Sequence, residues 1–183
     1  MQITLEDIGS GELYLKIMKA ICDETEDKSV ADIMCHLSPY IPQLGFKERT
    51  YVDIQKRPLD HKKEQKWFVK MDVIEFLRKG KHFDVINCSD GIEHLSSYNG
   101  KLLVNLMEQY SNKQIIFTPL GEHKIVRDNH PDSHASGWTP DYFEGWASII
   151  LPNFHPTLGV GAFFAWHCTD IKQDFKRVKQ QLL

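Results

Sequence analysis

Short apolar runs recur along the chain and alternate with segments of helical spacing. Runs of this length and character are typical of buried parallel strands, and they predict strands at residues 29–35, 49–54, 67–71, 83–88 and 114–118. Apolar residues at helical spacing predict helices at 9–22, 73–78 and 100–110. Strands that alternate with helices form βαβ units, so the pattern predicts a parallel sheet with helices on both faces.

The pattern changes after Trp138. A short helix is predicted at 140–146, followed by two β-rich runs at 147–151 and 158–167. These runs lie too close together for a parallel crossover, which needs a dozen or more residues, so we expect them to pair antiparallel. The prediction is an α/β, Rossmann-like, doubly wound sheet of about seven strands, mostly parallel, with a C-terminal antiparallel pair. At 183 residues, the chain is expected to form one domain spanning 1–183.

Composition narrows the classes of function. Hydrophobic residues make up 42% of the chain and charged residues 26%, which is ordinary for a globular protein. A formal charge of −3 supplies no general reason to bind nucleic acid. Neither a signal peptide nor an apolar run of membrane-spanning length is present, so a cytoplasmic protein is expected.

Two sets of residues are predicted to be buried in the core: Cys35 and Cys88, and Trp67, Trp138, Trp146 and Trp166.

Three motifs carry a family resemblance that covers nearly the whole chain. The run from Phe83 to Leu95, FDVINCSDGIEHL, resembles the fourth-strand signature of class I S-adenosylmethionine-dependent methyltransferases. Residues 114–119 resemble the fifth-strand motif, and 137–143 resemble the segment before the last helix of that family. The resemblance implies S-adenosylmethionine as cofactor and methyl transfer to a hydroxyl or amine of a small-molecule substrate or of another, unidentified acceptor.

The cofactor residues follow from the resemblance. Asp53 closes the second predicted strand, where the family has an acid that binds both ribose hydroxyls, and it lies about 20 residues after Asp32. Asp72 matches the residue near the adenine amino group, and it also suits the N-cap of the next helix. The full set implied by the resemblance is Asp32, Met34, Cys35, His36, Asp53, Ile54, Asp72, Val73, Ser89 and Asp90.

The first motif departs from the family pattern D-x-G-x-G-x-G. Met34, His36 and Ser38 stand where glycines are expected, and their side chains are predicted to narrow the approach of a ligand to the backbone. One interpretation is that Ser38 and Pro39 begin a helix whose N-terminus faces the cofactor carboxylate. The alternatives are a catalytically inactive binding module and a loop that takes another nucleotide-like ligand.

A second candidate centre follows the fourth predicted strand. Asp90, Glu93 and His94 are spaced to share one face of a helical turn. With His134, they resemble the divalent-ion site of some methyltransferases that act on small-RNA 3′ ends or quinone precursors, and this ligand set suits magnesium, manganese, iron or zinc. Alternatively, His94 or His134 is a general base beside Glu93. The polar segment 121–136 is predicted to form a substrate lid.

Overall fold

One mixed sheet runs through the molecule. The computed structural model describes residues 1–7, 9–23, 27–55, 62–123, 133–155 and 159–183. The strands in these ranges are β1 Gln2–Thr4, β2 Ser29–Ile33, β3 Glu48–Asp53, β4 Phe68–Lys70, β5 Phe83–Ser89, β6 Ser111–Pro119, β7 Ala147–His155 and β8 Val160–Cys168. They form an eight-stranded sheet in the order β1-β7-β8-β6-β5-β2-β3-β4. Strand β8 is antiparallel to β6 and β7, and the remaining pairs are parallel.

Four α-helices accompany the sheet in the described residues. They are α1 Gly11–Ile21, α2 Val73–Leu77, α3 Ser97–Tyr110 and α4 Ile171–Leu182. Each starts after a side chain that accepts a backbone N–H of the first turn, and these capping residues are Ser10, Asp72, Ser96 and Asp170. Four short 3₁₀ helices complete the described elements: Ile41–Gln43, Lys62–Trp67, Ile92–His94 and Pro140–Tyr142.

The core consists of two apolar clusters, one on each face of the sheet. Strand β6 shows how they arise, since Ile115 and Phe117 belong to one cluster while Ile116, between them, belongs to the other. Helices α1 and α4 pack with the first cluster, whereas α2 and α3 pack with the second. This arrangement confirms the predicted doubly wound sheet with its antiparallel C-terminal pair.

Several details differ from the sequence-based expectation. Strand β1 makes eight strands rather than about seven, and its three residues are too few to show a periodicity. Helix α4 was not expected, although its inward residues Ile171, Phe175, Val178 and Leu182 have helical spacing. Trp67 is 36% exposed, so its placement in the core was wrong, while the other three tryptophans and both cysteines are buried as predicted. The predicted helix at 140–146 is a three-residue turn.

The sheet order places the candidate residues together. From β2 the chain proceeds to β3 and β4 on one side, and then returns to β5 and β6 on the other. Ligands of open parallel sheets bind at such a reversal, beyond the carboxyl ends of the strands. Among the described residues, no helix has both the length and the apolar character that a membrane crossing requires.

Candidate cofactor and catalytic site

A cavity of about 590 Å³ opens at the carboxyl ends of β2, β3 and β5. Small-molecule sites generally have volumes of several hundred cubic ångströms. All ten residues expected to contact the cofactor line this cavity: Asp32, Met34, Cys35, His36, Asp53, Ile54, Asp72, Val73, Ser89 and Asp90. Parallel strands end at the same edge of the sheet, which is why residues so distant in sequence meet here.

The loop after β2 keeps a glycine-like backbone without glycines. Met34, His36 and Ser38 have φ angles of 54°, 45° and 44°. These are the three positions at which the family pattern has glycine. A left-handed conformation costs a residue with a side chain about 1–2 kcal/mol, so three in one loop require support from their surroundings.

The side chains of this loop differ in their placement. Ser38 is buried, and its hydroxyl donates a hydrogen bond to Asp32 Oδ2. Met34 packs against Gly91, where an added Cβ would lie 2.9 Å from Met34 Cβ. His36 is exposed. Met34 and Ser38 make contacts within the protein. These two side chains therefore obstruct the approach of a ligand to the loop backbone less than expected.

The expected helix N-terminus at Ser38 and Pro39 was wrong. The 3₁₀ helix Ile41–Gln43 has only three residues, and Tyr40 occupies its N-cap position without a side-chain cap. Ser38 cannot cap a helix, because its backbone is left-handed rather than extended and its hydroxyl is bonded to Asp32.

Asp53 joins the end of β3 to the loop. Its Oδ2 accepts the backbone N–H of His36 at 3.1 Å, and its Oδ1 accepts the backbone N–H of Gln55 at 2.8 Å. Each carboxylate oxygen has a second lone pair, so the oriented side chain retains the capacity to accept hydroxyl protons from a ligand. The next residue, Ile54, is 57% exposed although it is apolar, and it also lines the cavity.

Asp72 is an N-cap, as its position suggested. Its Oδ1 accepts the backbone N–H groups of Ile74 and Glu75 at 2.9 and 3.1 Å. No hydrogen bond to its Oδ2 is found among the residues that the structure describes. The capping role and a contact with a ligand are therefore compatible.

Asp32 lies at the base of the cavity and is 3% exposed. Its carboxylate accepts hydrogen bonds from Ser38 Oγ and from Asn87 Nδ2, the latter at 2.7 Å. Burial raises its pKa to about 7, and the two hydrogen bonds offset part of that effect.

The cavity lining is acidic. Four aspartates contribute to it, at positions 32, 53, 72 and 90, whereas no lysine or arginine does so in the described part of the chain. The basic side chains on its surface are His36 and His94. Such a lining concentrates cations rather than anions.

A second group of side chains lies beside this cavity. Ligand atoms of Glu93, His94 and His134 are all within 4.8 Å of one another. Glu93 is 3% exposed, and it accepts a hydrogen bond from Thr118 Oγ1 at 2.9 Å. Burial and the nearby charge of Asp90 both raise the pKa of Glu93. His94 also lines the cavity, so it connects the two sites.

The two histidines are oriented by backbone carbonyls. His94 Nδ1 lies 3.2 Å from Ser133 O, and His134 Nδ1 lies 2.7 Å from His123 O. A proton donated from Nδ1 leaves Nε2 of each ring available to accept a proton or bind an ion. Burial lowers the pKa of His134, and so do the charges of His94 and His123.

Asp90 is not in the group of Glu93, His94 and His134, whose ligand atoms lie within 4.8 Å of one another, although its charge acts on Glu93; its role as a metal ligand stays a prediction. The helical turn begins at Ile92 rather than at Asp90, and Asp90 itself has a φ of 48°. Asp90 lines the cavity. In the predicted lid, residues 124–132 lie outside the described residues, so His130 is not placed.

Tyr14, Asn87 and Thr118 contact these sites but were not predicted, whereas His123, whose carbonyl contacts His134, lies in the segment predicted to form a lid. Asn87 did carry a signal, because it is a polar residue in the middle of an apolar strand.

No protein-family model matches the sequence, and no curated protein is significantly similar to it. Solved structures do match. A SAM-dependent methyltransferase from Archaeoglobus fulgidus has a TM-score of 0.60 and 19% identity, covering 87% of this chain and 95% of its own. The methyltransferase domain of bacterial CtHen1 has a TM-score of 0.57 and 15% identity, covering 85% and 97%.

A third neighbour is 1,6-didemethyltoxoflavin-N1-methyltransferase from Burkholderia thailandensis, solved with 1,6-didemethyltoxoflavin and S-adenosylhomocysteine. It has a TM-score of 0.57 and 14% identity, and the match covers 87% of this chain and 90% of its own. At such identities the likeness establishes the fold, which is that of class I methyltransferases.

Proposed function

We propose that this protein is an S-adenosylmethionine-dependent methyltransferase that acts on a hydroxyl or amine of a small molecule. The observation that carries the proposal is the loop after β2, whose Met34, His36 and Ser38 keep left-handed backbones at the three glycine positions. A costly conformation held at these positions, beside a cavity, is typical of a ligand site.

The acidic cavity lining supports this cofactor over a nucleotide. Phosphates require cationic or N–H-rich surroundings, whereas the four aspartates here have no lysine or arginine beside them in the described cavity wall. The chemistry that S-adenosylmethionine supplies is a methyl group activated by a positively charged sulfur. Carboxylates near such a cation stabilise it.

The roles of the binding residues follow from their places at the strand ends. Asp53, held by the N–H groups of His36 and Gln55, accepts both ribose hydroxyls. Asp72, beyond β4, faces the adenine amino group, and Ile54 and Val73 cover the base. Met34, Cys35, Ser89 and Asp90 border the remaining part of the ligand, together with Asp32 and His36.

His94 is the proposed general base, since it is the histidine of the Glu93 group that lines the cavity. Its Nδ1 is held by Ser133 O, so Nε2 accepts the proton of the acceptor hydroxyl or amine. The His134 ring lies edge-on to that of His94 at 5.1 Å, and His134 and Glu93 complete the catalytic group. Alignment of donor and acceptor in a closed site then suffices, and no covalent enzyme intermediate is needed.

As an alternative to the general base, the same three side chains suit a divalent ion, and His94 Nε2 is then an ion ligand rather than a proton acceptor. Ligands of one ion at about 2.1 Å are at most about 4.2 Å apart, and the ligand atoms of these three side chains all lie within 4.8 Å of one another. Glu93 is buried, and its carboxylate has no lysine or arginine partner among the described residues, which favours a bound cation. Glu93, His94 and His134 would hold the ion, which would orient and acidify an acceptor hydroxyl.

Isothermal titration with S-adenosylmethionine and S-adenosylhomocysteine tests the proposal. We expect both to bind, and Asp53→Ala to abolish detectable binding while Glu48→Ala, at the exposed start of the same strand, leaves it unchanged. No binding to the wild-type protein would refute the cofactor assignment. Binding without methyl transfer to any of a panel of hydroxyl and amine acceptors would instead support the inactive binding module.

A further inference from the structure

Two segments that are distant in sequence supply the proposed catalytic group. Glu93 and His94 lie on the 3₁₀ turn Ile92–His94, whereas His134 belongs to the segment that leads to the turn Pro140–Tyr142. His134 lies in neither a helix nor a strand, so regular secondary structure does not set its position. The contacts between the two segments therefore decide whether the three side chains meet.

Some of these contacts come from the catalytic residues themselves. Glu93 O accepts the N–H groups of the two residues that follow His134, at 2.8 and 3.1 Å. His94 Nδ1 lies 3.2 Å from Ser133 O, on the other side of His134. Both contacts involve members of the group that they assemble. An independent anchor has to come from a residue outside the group.

Ser136 supplies such an anchor. Its hydroxyl donates to Leu95 O at 2.8 Å, just after the turn, with Ile92 O at a longer 3.5 Å. The same oxygen accepts the indole N–H of Trp138 at 2.8 Å. Trp138 is only 2% exposed, and a buried indole N–H without a partner is costly. The hydroxyl of Ser136 therefore joins Trp138 to the turn that carries Glu93.

Trp138 has a fixed position from which Ser136 can act. Its carbonyl accepts the backbone N–H of Gly121 at 2.6 Å, shortly after the end of β6. Its indole packs against Gly100 of α3, where an added Cβ would overlap the ring and lie 2.9 Å from Cη2. Glycine is unfavourable inside a helix, and the room that it leaves for Trp138 gives its place in α3 a physical reason.

We propose that Ser136 is a positioning residue, which holds His134 beside His94 and Glu93 by joining Trp138 to Leu95. The inference rests on the proposed function, because that function makes these three side chains the catalytic group. Ser136 itself is half-buried and is not part of the described cavity wall. Its role is the same whether the group acts as a general base or binds an ion.

The contact between the two histidine rings provides a test that needs no ligand. Their centroids lie 5.1 Å apart, edge to face, so ring protons of His94 and His134 should show a nuclear Overhauser effect in the wild-type protein. Ser136→Ala should abolish this effect, because the bond to Leu95 is lost. Ser136→Thr keeps the hydroxyl and should retain it.

Manganese binding, followed by electron paramagnetic resonance, provides a second measurement. Residues that orient the ligands of a metal typically change its affinity by about 10–100-fold when they are removed, so Ser136→Ala should weaken manganese binding by about tenfold. Ser136→Thr should restore most of that affinity. S-Adenosylhomocysteine should bind to Ser136→Ala as it does to wild type, because the substitution lies outside the described cavity wall.

Ser111→Ala is the matched control. The Ser111 hydroxyl donates to Met107 O at 2.8 Å and accepts Gln114 Nε2 at 3.1 Å, so it repeats the bonding of Ser136. Ser111 lies at the start of β6, at the edge of the sheet opposite the cavity. Its loss should lower the unfolding temperature while leaving the ring contact and manganese affinity unchanged. This control separates positioning from a general loss of stability.

The ring contact decides between the outcomes. Its absence from wild type, its retention in Ser136→Ala, or its equal loss in Ser111→Ala would overturn the inference. If Ser136→Ala does not fold by circular dichroism, Gly100→Ala displaces Trp138 from the other side and should also remove the contact. Asn99→Ala, at an exposed neighbouring position of α3, should retain it.

These outcomes are distinct from those that test the proposed function. Failure of the wild-type protein to bind S-adenosylhomocysteine would remove the proposed function. It would leave the effect of Ser136 on the ring contact measurable, since that measurement uses the ligand-free protein.

Discussion

Met34 and Gly91 occupy complementary positions beside the cavity. A Cβ placed on Gly91 would lie 2.9 Å from Met34 Cβ and 3.4 Å from Met34 Sδ. Position 34 of the loop carries a methionine where the family pattern has glycine. Gly91, on the facing segment, leaves room for that methionine side chain. Gly91 has a φ of −134°, which any residue can adopt, so the requirement for glycine there is one of space.

This relationship predicts coupling between the two positions. Gly91→Ala should lower the free energy of unfolding by about 1–3 kcal/mol, because the new methyl group would overlap Met34 and come within 3.0 Å of Cys88 Sγ. The double variant Met34→Gly with Gly91→Ala should recover about 1 kcal/mol or more of that loss. Urea unfolding of the four proteins measures the coupling, and strictly additive effects would contradict the proposed complementarity.

His36 offers a test of the strain in the loop. Its backbone has a φ of 45° and its side chain is exposed, so His36→Gly removes a left-handed penalty of about 1–2 kcal/mol at an entropic cost of about 0.5–1 kcal/mol. We expect a small net stabilisation by thermal unfolding. His82→Gly is the control, because His82 is exposed and is not among the residues with positive φ, and glycine should destabilise the protein there. If His36→Gly and His82→Gly changed the thermal stability equally, the backbone at His36 would not be strained.

Asp32 should make stability depend on pH in the direction opposite to that of most acids. Its pKa rises from 3.8 to about 7 on folding, so between these values the native state binds a proton that the unfolded state has released. This contribution to stability therefore decreases as pH rises from about 4 to about 7, by up to about 4 kcal/mol. Asp32→Asn should flatten that part of the profile and stabilise the ligand-free protein at pH 8, since Ser38 Oγ can also accept from the new amide.

Unfolding free energies of wild type and Asp32→Asn across this pH range provide the measurement. The comparison isolates Asp32 from the other buried acids, which are the same in both proteins. Parallel profiles for the two proteins would exclude Asp32 as the group responsible.

The group of Glu93, His94 and His134 predicts binding of a divalent ion. Manganese added to the purified protein should bind with a stoichiometry of one, as measured by electron paramagnetic resonance or calorimetry. His134→Ala should weaken this binding by at least about tenfold, because it removes one of three protein ligands. His82→Ala changes an exposed histidine at the opposite end of β5 and should have no effect. Identical manganese binding in wild type and His134→Ala would eliminate the site.

Much of the fold was predictable from the sequence, because strands and helices express local periodicities. The apolar runs that became β2, β3, β5 and β6 lie within two or three residues of their expected bounds. The family resemblance assigned Asp32, Asp53 and Asp72 to one site, and the shared edge of parallel strand ends is consistent with that assignment. The short β1 and the polar helix α4 were less evident, because each buries few apolar residues.

The tertiary structure decided how the site is completed. Local sequence did not reveal that Met34, His36 and Ser38 would keep a glycine-like backbone, because the supporting contacts come from Gly91, Asp32 and Asp53. It likewise did not reveal that Tyr14, from α1, would contact Ser89 at the end of β5. Sequence periodicity determines which face of an element is buried and where it ends, whereas contacts between distant segments depend on how the elements pack against one another.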